Sequence, residues 1–322
     1  MIEQFREEYS FLSNFYPAVL TFEGKTYLNS EAAYQAAKCV DESEKEQFTG
    51  LTADESKRLG GKVALRSDWD EVKQDVMRAV VYAKFTQNRY LAEWLLKTGE
   101  RYLQEGNRWN DTFWGVNIKT GEGENHLGKI LMSLREEFRK SGLPESTDSY
   151  LYKAQPTEHI RILFGDITQA DVACIVNPAN KTLLGGGGAD GAIHMAAGRE
   201  LREECRKFGG CNTGDAKITK GYALKADFVI HTVGPHYPEE NAPALLEQSY
   251  RNSLDLAKQH RVGSIAFPAI STGKYSYPKK EAVEIAVKTV LAWQAENSDY
   301  VMDVAFITTD LGIYRLFCEQ FD

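Results

Sequence analysis

The sequence has no apolar run approaching the eighteen or so residues of a membrane span, so no membrane-crossing helix is expected. It has only five cysteines, an odd number with no CxxC pair. A disulfide framework is thereby excluded and reduced thiols are expected. An excess of basic charge is also missing: 38 Lys and Arg face 46 Asp and Glu, a net charge of −8. Neither half is basic, since residues 1–149 hold 20 basic and 25 acidic side chains. A chain that coats long nucleic acid by neutralising phosphates shows a basic face. Any nucleic-acid partner is therefore expected to be gripped at one modified nucleotide. The opening MIEQFREEYS lacks the basic region and apolar core of a secretory signal. A cytoplasmic or nuclear protein with no membrane partner is the expectation. No internal repeat and no low-complexity tract is visible.

What is present is globular. A length of 322 residues exceeds what one hydrophobic core usually serves, and 43% hydrophobic with 26% charged residues suits two folded domains. Between Arg139 and Arg161, KSGLPESTDSYLYKAQPTEHI loses periodicity and has a linker or domain-edge composition. The boundary is placed near Ser146, giving domains over residues 1–145 and 146–322. The first is expected to be mainly α, of the α+β kind. SEAAYQAAKCV starts with Ser30 as N-cap, and DWDEVKQDVMRAVVYAKFTQ puts Val72, Val76, Ala79, Val80 and Ala83 on one helical face. ENHLGKILMSLREEFRK is a closing amphipathic helix, and AVLTFEG with KTYLN are strands about a Glu-Gly turn.

The second half alternates short apolar strands, IRILFG, ACIVNPA, FVIHTVG, SIAFPAI and MDVAFITT, with helical segments. That pattern predicts an α/β domain, a mixed and mostly parallel sheet sandwiched by helices. Ligands in such sheets bind in the loops at the carboxyl ends of the strands. LLGGGGADGAIHMAAG occupies such a loop. A flexible linker would carry Ser or Pro and would not open straight into a helix. Gly186, Gly188 and Gly191 satisfy GxGxxG, yet PANKTLL separates them from their strand, against a dinucleotide turn. Converging backbone N–H groups and a helix beginning near Ala192 instead suit a phosphate. PAISTGKYSYP, with Ser271, Thr272 and Gly273, follows another strand, so two small-residue loops would clamp a diphosphate. GDIT ends the first strand of this domain, where Asp166 can accept from an exocyclic amine and the next N–H can meet a ring nitrogen. A nucleoside-diphosphate site is the result. Asp190 has two readings, an N-cap or a catalytic carboxylate. Cys205, Cys211 and His194 match no structural zinc spacing, so neither metal nor cofactor is expected.

In the first half, Glu31, Gln35 and Lys38 stand at i, i+4 and i+7, which puts acid, amide and amine on one helical face. A solvated charged face is the plain alternative. The Trp and Tyr residues around DW, RWNDTFWG and FLSNFYP could line a cleft or a core.

GDIT, VNPANKTLLGGGGADGAIHMAAG, GGCNTGDAKITKGYAL, VIHTVGPHY and FPAISTGKYSYP together resemble a macrodomain of the MacroD type, over about residues 158–322. The resemblance implies binding of ADP-ribose and hydrolysis of its bond to protein carboxylates. It implies that Asp166 holds the adenine with the Ile167 backbone, and that Asn180 contacts the distal ribose. Gly188 with Ser271, Thr272, Gly273, Lys274 and Tyr275 would wrap the diphosphate, and Asp190 would orient a water toward the anomeric carbon. The family carries Val and Gly within Ser-Thr-Gly-Val-Tyr-Gly-Tyr-Pro where this chain has Lys274 and Ser276. Lys274 either adds a phosphate contact or crowds the distal ribose, favouring a reader over an eraser.

FLSNFYP, SEAAYQAAK, RSDW, VKQDVMRAVVYAKF, NDTFWG and GENHLGKILMSLREE resemble the NADAR (YbiA-like) family over about residues 5–140. The resemblance implies cleavage of N-glycosidic bonds of ribose derivatives, with Glu31, Trp69 and Asp111 at catalytic positions. Asn14, Phe15 and Trp114 are implied as ADP-ribose contacts. Lys38, the motif lysine, is a nucleophile that forms a Schiff base or a phosphate contact. The expected activity is removal of ADP-ribose from guanine in DNA or RNA by the first domain. The second would bind ADP-ribose or act on ADP-ribosylated proteins. The alternatives are an N-glycosidase for a free ribose-phosphate metabolite and a non-catalytic ADP-ribose reader.

Overall fold

Glu23 and Gly24, at φ of 48° and 76°, reverse the chain between β1 (Pro17–Phe22) and β2 (Lys25–Asn29), which pair antiparallel. The hairpin belongs to the first of two units, Met1–Asp148 and Ser149–Asp322, of the computed structural model. Residues 1–143 and 150–322 are described, and the sequence-based boundary near Ser146 falls outside them.

Among the described residues, six α-helices build most of the first unit: α1 (Ser30–Ala36), α2 (Glu42–Glu46), α3 (Ala53–Gly60), α4 (Trp69–Gln87), α5 (Arg89–Lys97) and α6 (His126–Ser141). Two-residue strands β3 (Gly106–Asn107) and β4 (Val116–Asn117) complete it. The α+β expectation holds, with local differences. The N-cap of α1 is Asn29, whose side chain accepts from Ala32 N at 2.8 Å, so Ser30 is already helical. The helix stops at Ala36, which leaves Lys38 beyond its end. Helix α3 opens with a reciprocal capping box between Thr52 and Glu55. Helix α4 buries Met77, Val80, Val81, Lys84 and Phe85, while Ala79 is exposed. Leu20, Tyr27, Ala32, Ala33, Phe48 and Val80 form a core that seats α1 on the hairpin and α4. Burying a side chain the size of Phe48 favours folding by roughly 2 kcal/mol.

The second unit is a seven-stranded sheet. In chain order it contains β5 (Tyr150–Thr157), β6 (Ile160–Gly165), β7 (Cys174–Pro178), α7 (Gly188–Ala197), α8 (Arg199–Arg206), β8 (Ala216–Lys220) and β9 (Phe228–Thr232). Then come α9 (Ala242–Gln259), β10 (Ser264–Phe267), α10 (Lys279–Glu296), β11 (Asp303–Thr308) and α11 (Leu311–Cys318). The spatial order is β5-β6-β11-β10-β7-β9-β8, parallel in the centre and antiparallel at both edges. Alternate residues of one strand enter opposite cores. Cys174 and Val176 join the α9–α10 side, while Ile175 joins Ile193 and Leu201 on the α7–α8 side. Two covered faces explain why these strands are apolar throughout.

Strand β5, at the edge of the sheet, lies within the stretch read as linker or domain edge and is not itself expected from the sequence. The helix expected to begin near Ala192 starts instead at Gly188 and gives way to a second helix at Gly198, with φ of 94°. The carboxyl ends of β6, β7 and β10 deliver GDIT, the glycine loop and PAISTGKYSYP. Among the described residues, no helix is long and apolar enough to cross a membrane, and the five cysteines are unpaired.

Candidate functional site

Each unit gathers its own group of reactive side chains. In the second, β7 ends in VNPAN and places Asn177 and Asn180 beside Asp190. Helix α7 begins at Gly188 with Gly187 as N-cap, so Asp190 sits in its first turn and does not cap it. Its carboxylate turns away from the helix backbone. Oδ1 accepts from Asn177 Nδ2 at 2.8 Å, and Oδ2 lies 3.5 Å from Asn180 Nδ2. Asn180 is braced in turn, donating to Gly185 O at 2.9 Å and accepting from Thr182 N at 2.9 Å.

Behind Asn177 runs a buried chain. Asn177 Nδ2 lies 3.0 Å from His231 Nδ1, and an amide nitrogen only donates, so Nδ1 is the acceptor. The imidazole proton therefore sits on Nε2, 2.9 Å from Thr219 Oγ1. The Thr219 hydroxyl faces Val229 O at 3.4 Å. Burial pushes Asp190 up to about 6, against the lowering effect of the Asn177 bond. His194 Nε2 is 3.5 Å from Asp190 Oδ1, yet burial and then the Arg202 charge push His194 down to about 4. The pair is thus a carboxylate beside a neutral imidazole near pH 7, not an ion pair. A carboxylate so held, with one oxygen near the loop, can polarise a water.

The glycine loop leaves room in front of it. A Cβ at Gly187 or Gly188 would meet nothing within 4 Å, and Gly188 takes φ of 62°. At Gly186 a Cβ would come within 3.0 Å of Asp190 Oδ2, so glycine there keeps the carboxylate clear. The first N–H groups of α7 have no partner within the helix and carry its positive end. The second loop turns at Ser271 (φ 67°) and Ser276 (φ 56°). Ser271 Oγ is buried without a hydrogen-bond partner, Thr272 Oγ1 donates to Ala269 O at 2.8 Å, and a Cβ at Gly273 would meet open space. Tyr275 stacks on His236 with ring centroids 3.6 Å apart. Its hydroxyl pKa is raised by burial and then by the charge of Asp190, which brings this loop to the same site. Lys274 is exposed, while Asp166 and Ile167 are buried at the end of β6. Asp166 Oδ1 accepts from Thr168 N at 2.8 Å.

His194, Cys205 and His231 bring their ligand atoms within 4.8 Å of one another, a set differing from the Cys205, Cys211 and His194 group weighed in the sequence. Both nitrogens of His231 are already hydrogen-bonded to Asn177 and Thr219, so coordination there would break the chain that holds Asp190.

In the first unit, Glu31 and Gln35 meet as their spacing predicts, Gln35 Nε2 donating to Glu31 Oε1 at 2.7 Å. Glu31 N donates to Asn14 O at 3.1 Å, which ties the FLSNFYP turn to the start of α1. Burial raises the Glu31 pKa; Gln35, Lys57 and Lys38 oppose the rise and Asp111 adds to it. Lys38, reached by a turn beyond α1, has its pKa lowered chiefly by burial. Its ammonium lies 5.8 Å from the Tyr34 ring and 5.9 Å from the ring of Trp69, which is buried at the start of α4. Tyr34 also meets Trp114 edge-on at 5.6 Å. Asp111 Oδ1 accepts from Trp114 N at 2.9 Å and Phe113 N at 3.2 Å. Asn14 is buried and donates to Met77 Sδ at 3.1 Å, while Phe15 is exposed.

Four residues of these groups escaped the sequence reading as site members. Asn177 and His231 are polar side chains inside ACIVNPA and FVIHTVG, a signal that was available. Lys57 comes from α3 and Glu105 from the segment just before β3, and nothing local marks them. Glu105 Oε2 is buried without a partner, and burial followed by the Asp111 charge pushes its pKa up to about 7.

The family model of the NADAR domain matches residues 2–139, and that of the Macro domain matches residues 176–286. A macro domain-containing protein of Ralstonia nicotianae is 53% identical over 162 residues, covering 50% of this chain and 94% of that one. The ADP-ribose glycohydrolase MACROD1 of Mus musculus is 46% identical over 182 residues, 54% of this chain and 56% of its own. Among solved structures, the Trypanosoma brucei macrodomain in complex with ADP-ribose is 37% identical with a TM-score of 0.50. It covers 52% of this chain and 73% of that one.

Proposed function

The chain belongs to the macro domain family and carries a NADAR domain ahead of its macro domain, and from that premise we propose that it erases ADP-ribosylation. The first unit hydrolyses the N-glycosidic bond between ADP-ribose and guanine in DNA or RNA. The second binds ADP-ribose and, as a further activity, releases it from protein carboxylates. The observation that carries the reading is Glu31, a buried carboxyl with a raised pKa beside Asp111 and a lysine whose pKa is lowered.

An amine-linked ribose leaves its nitrogen when that nitrogen is protonated or the sugar ring is opened. Glu31 in its acid form supplies the proton as the bond from nitrogen to the anomeric carbon breaks. Asp111 faces the positive charge that develops on the carbon and takes a proton from the water that adds there. Trp69 packs against the base or ribose. Lys38 either attacks the anomeric carbon of the opened sugar as a neutral amine, expelling the guanine amine, which Glu31 protonates, and leaving a Schiff base that water hydrolyses, or meets a phosphate. In the second unit, Asp190 orients a water toward the anomeric carbon, with Asn180 on the distal ribose and the two loops around the diphosphate. Asp166 and Ile167 take the adenine.

The test is incubation of the protein with a guanine-ADP-ribosylated oligonucleotide, beside Glu31→Ala and Asp190→Ala. Release by wild type and Asp190→Ala but not by Glu31→Ala is the expected result. Survival of the label with all three proteins would end the guanine reading and turn attention to protein conjugates and free ribose-phosphates.

A further inference from the structure

We propose that Phe15, Lys57 and Trp109 form a stacking clamp for an unpaired nucleotide beside the modified guanine. The inference rests on the nucleic-acid reading of the first unit given above. Phe15 is 37% exposed and Trp109 57% exposed, although both rings are large and apolar. The Lys57 ammonium lies 5.4 Å from the Phe15 centroid and 5.9 Å from the Trp109 centroid. Both rings therefore belong to one small patch around a single cation. Lys57 makes no ion pair among the described residues, and Arg58, which follows it, and Arg108, which precedes Trp109, are exposed as well.

Its place is at the edge of the Glu31 group. The positive charge of Lys57 acts on Glu31 and on Glu105, so the patch stands within electrostatic reach of both carboxyls. A chain with net charge −8 has no overall excess of basic charge to neutralise a polynucleotide. What it offers here is a local combination of π-faces and an ammonium. Every base has a π-face to stack, and every nucleotide carries a phosphate for the cation, so such a patch holds single strands without reading their sequence. An unpaired strand is also what an enzyme acting on a guanine amino group needs, since a paired base hides that group.

The experiment compares a guanine-ADP-ribosylated mononucleotide with a single-stranded oligonucleotide carrying the same modified base. Trp109→Ala is expected to lower kcat/KM on the oligonucleotide on the order of 10-fold and to leave the mononucleotide unchanged. Trp109→Phe should restore most of the loss, and Lys57→Gln should reduce the salt dependence of oligonucleotide KM by about one phosphate contact. Equal losses on both substrates would mean that the rings serve ADP-ribose itself and would overturn the clamp. Binding is measured separately with an unmodified single-stranded oligonucleotide, by the fluorescence change that wild type shows and Trp109→Phe lacks. If wild type cleaves neither substrate, the guanine reading fails. The clamp itself fails if that oligonucleotide does not bind at low salt.

Discussion

Gly60 at the end of α3 lies against Gln35 of α1 with no room for a side chain. A Cβ on Gly60 would stand 2.0 Å from Gln35 Oε1 and 2.8 Å from Gln35 Cβ. Gln35 is the residue that donates to Glu31, so this close approach of two helices sets the carboxyl's surroundings. Gly60→Ala must push α3 outward or turn the Gln35 amide away. The expected cost is roughly 1–3 kcal/mol in urea unfolding, with a fall in release of ADP-ribose from modified guanine. Adding Gln35→Ala to Gly60→Ala removes the amide clash but keeps the Cβ contact at 2.8 Å, so it should recover part of the stability and none of the activity. Full activity in Gly60→Ala would show that Glu31 does not depend on its amide partner.

Glu105 gives the first unit a stability that falls as pH rises. Its pKa is raised in the folded chain to about 7, mainly by burial, so the fold binds this proton more tightly than the unfolded chain does. The contribution is fully present below the ordinary carboxyl range and is lost as pH climbs through about 7. Glu105→Gln is therefore expected to stabilise the unit at pH 8 by roughly 1–3 kcal/mol and to change little at pH 4. Denaturant midpoints at the two pH values decide it. An equal shift at both would mean that the side chain acts through packing and not through its proton.

The second unit responds to acid in the opposite sense through its histidines. His231 is pushed down to about 3 by burial and then by His194, and His194 is pushed down to about 4. Folded values below the ordinary one mean that the stability they contribute is full above about 6.5 and is lost as pH falls. Asp190, raised to about 6, opposes this, since its contribution grows as pH falls from 6 toward 4. Two histidines against one carboxyl leave a net acid sensitivity. Calorimetry from pH 7 to pH 4 should show the second unit's transition moving down. His194→Phe, which keeps a ring and removes a titrating group, should recover on the order of 3 kcal/mol of the loss at pH 4. An undiminished fall in His194→Phe would place the titrating groups elsewhere.

The central strands and the loops after them were legible because burial on two faces leaves uninterrupted apolar runs, and because glycine runs and Gly-Asp ends punctuate them. Strand β5 was not, because YLYKAQPT is an edge strand with one wet face and includes a proline, a composition that also suits a linker. Helix α3 was overlooked although Thr52 and Glu55 spell its cap. The Glu31–Gln35 contact follows from helical spacing alone. The contributions of Lys57 and Glu105 do not, because tertiary packing brings together residues 26 and 74 positions after Glu31, and no local pattern encodes that meeting. Asp190 stood between two readings in the sequence. Gly187 holds the cap position, and the Asp190 carboxylate faces Asn177 at 2.8 Å and Asn180 at 3.5 Å in place of the helix backbone.

Asn177 directs its amide nitrogen at both Asp190 and His231, and its carbonyl oxygen is left buried with no partner. An orphaned acceptor of this kind costs about 1–3 kcal/mol. An aliphatic side chain at 177 would remove that cost only by taking the donor from the buried Asp190 carboxylate and from His231, leaving two acceptors unpaired in place of one. The amide is thus locked in by the partners it serves. A library selected only for heat resistance should keep a donor at 177 while the apolar strands around it change.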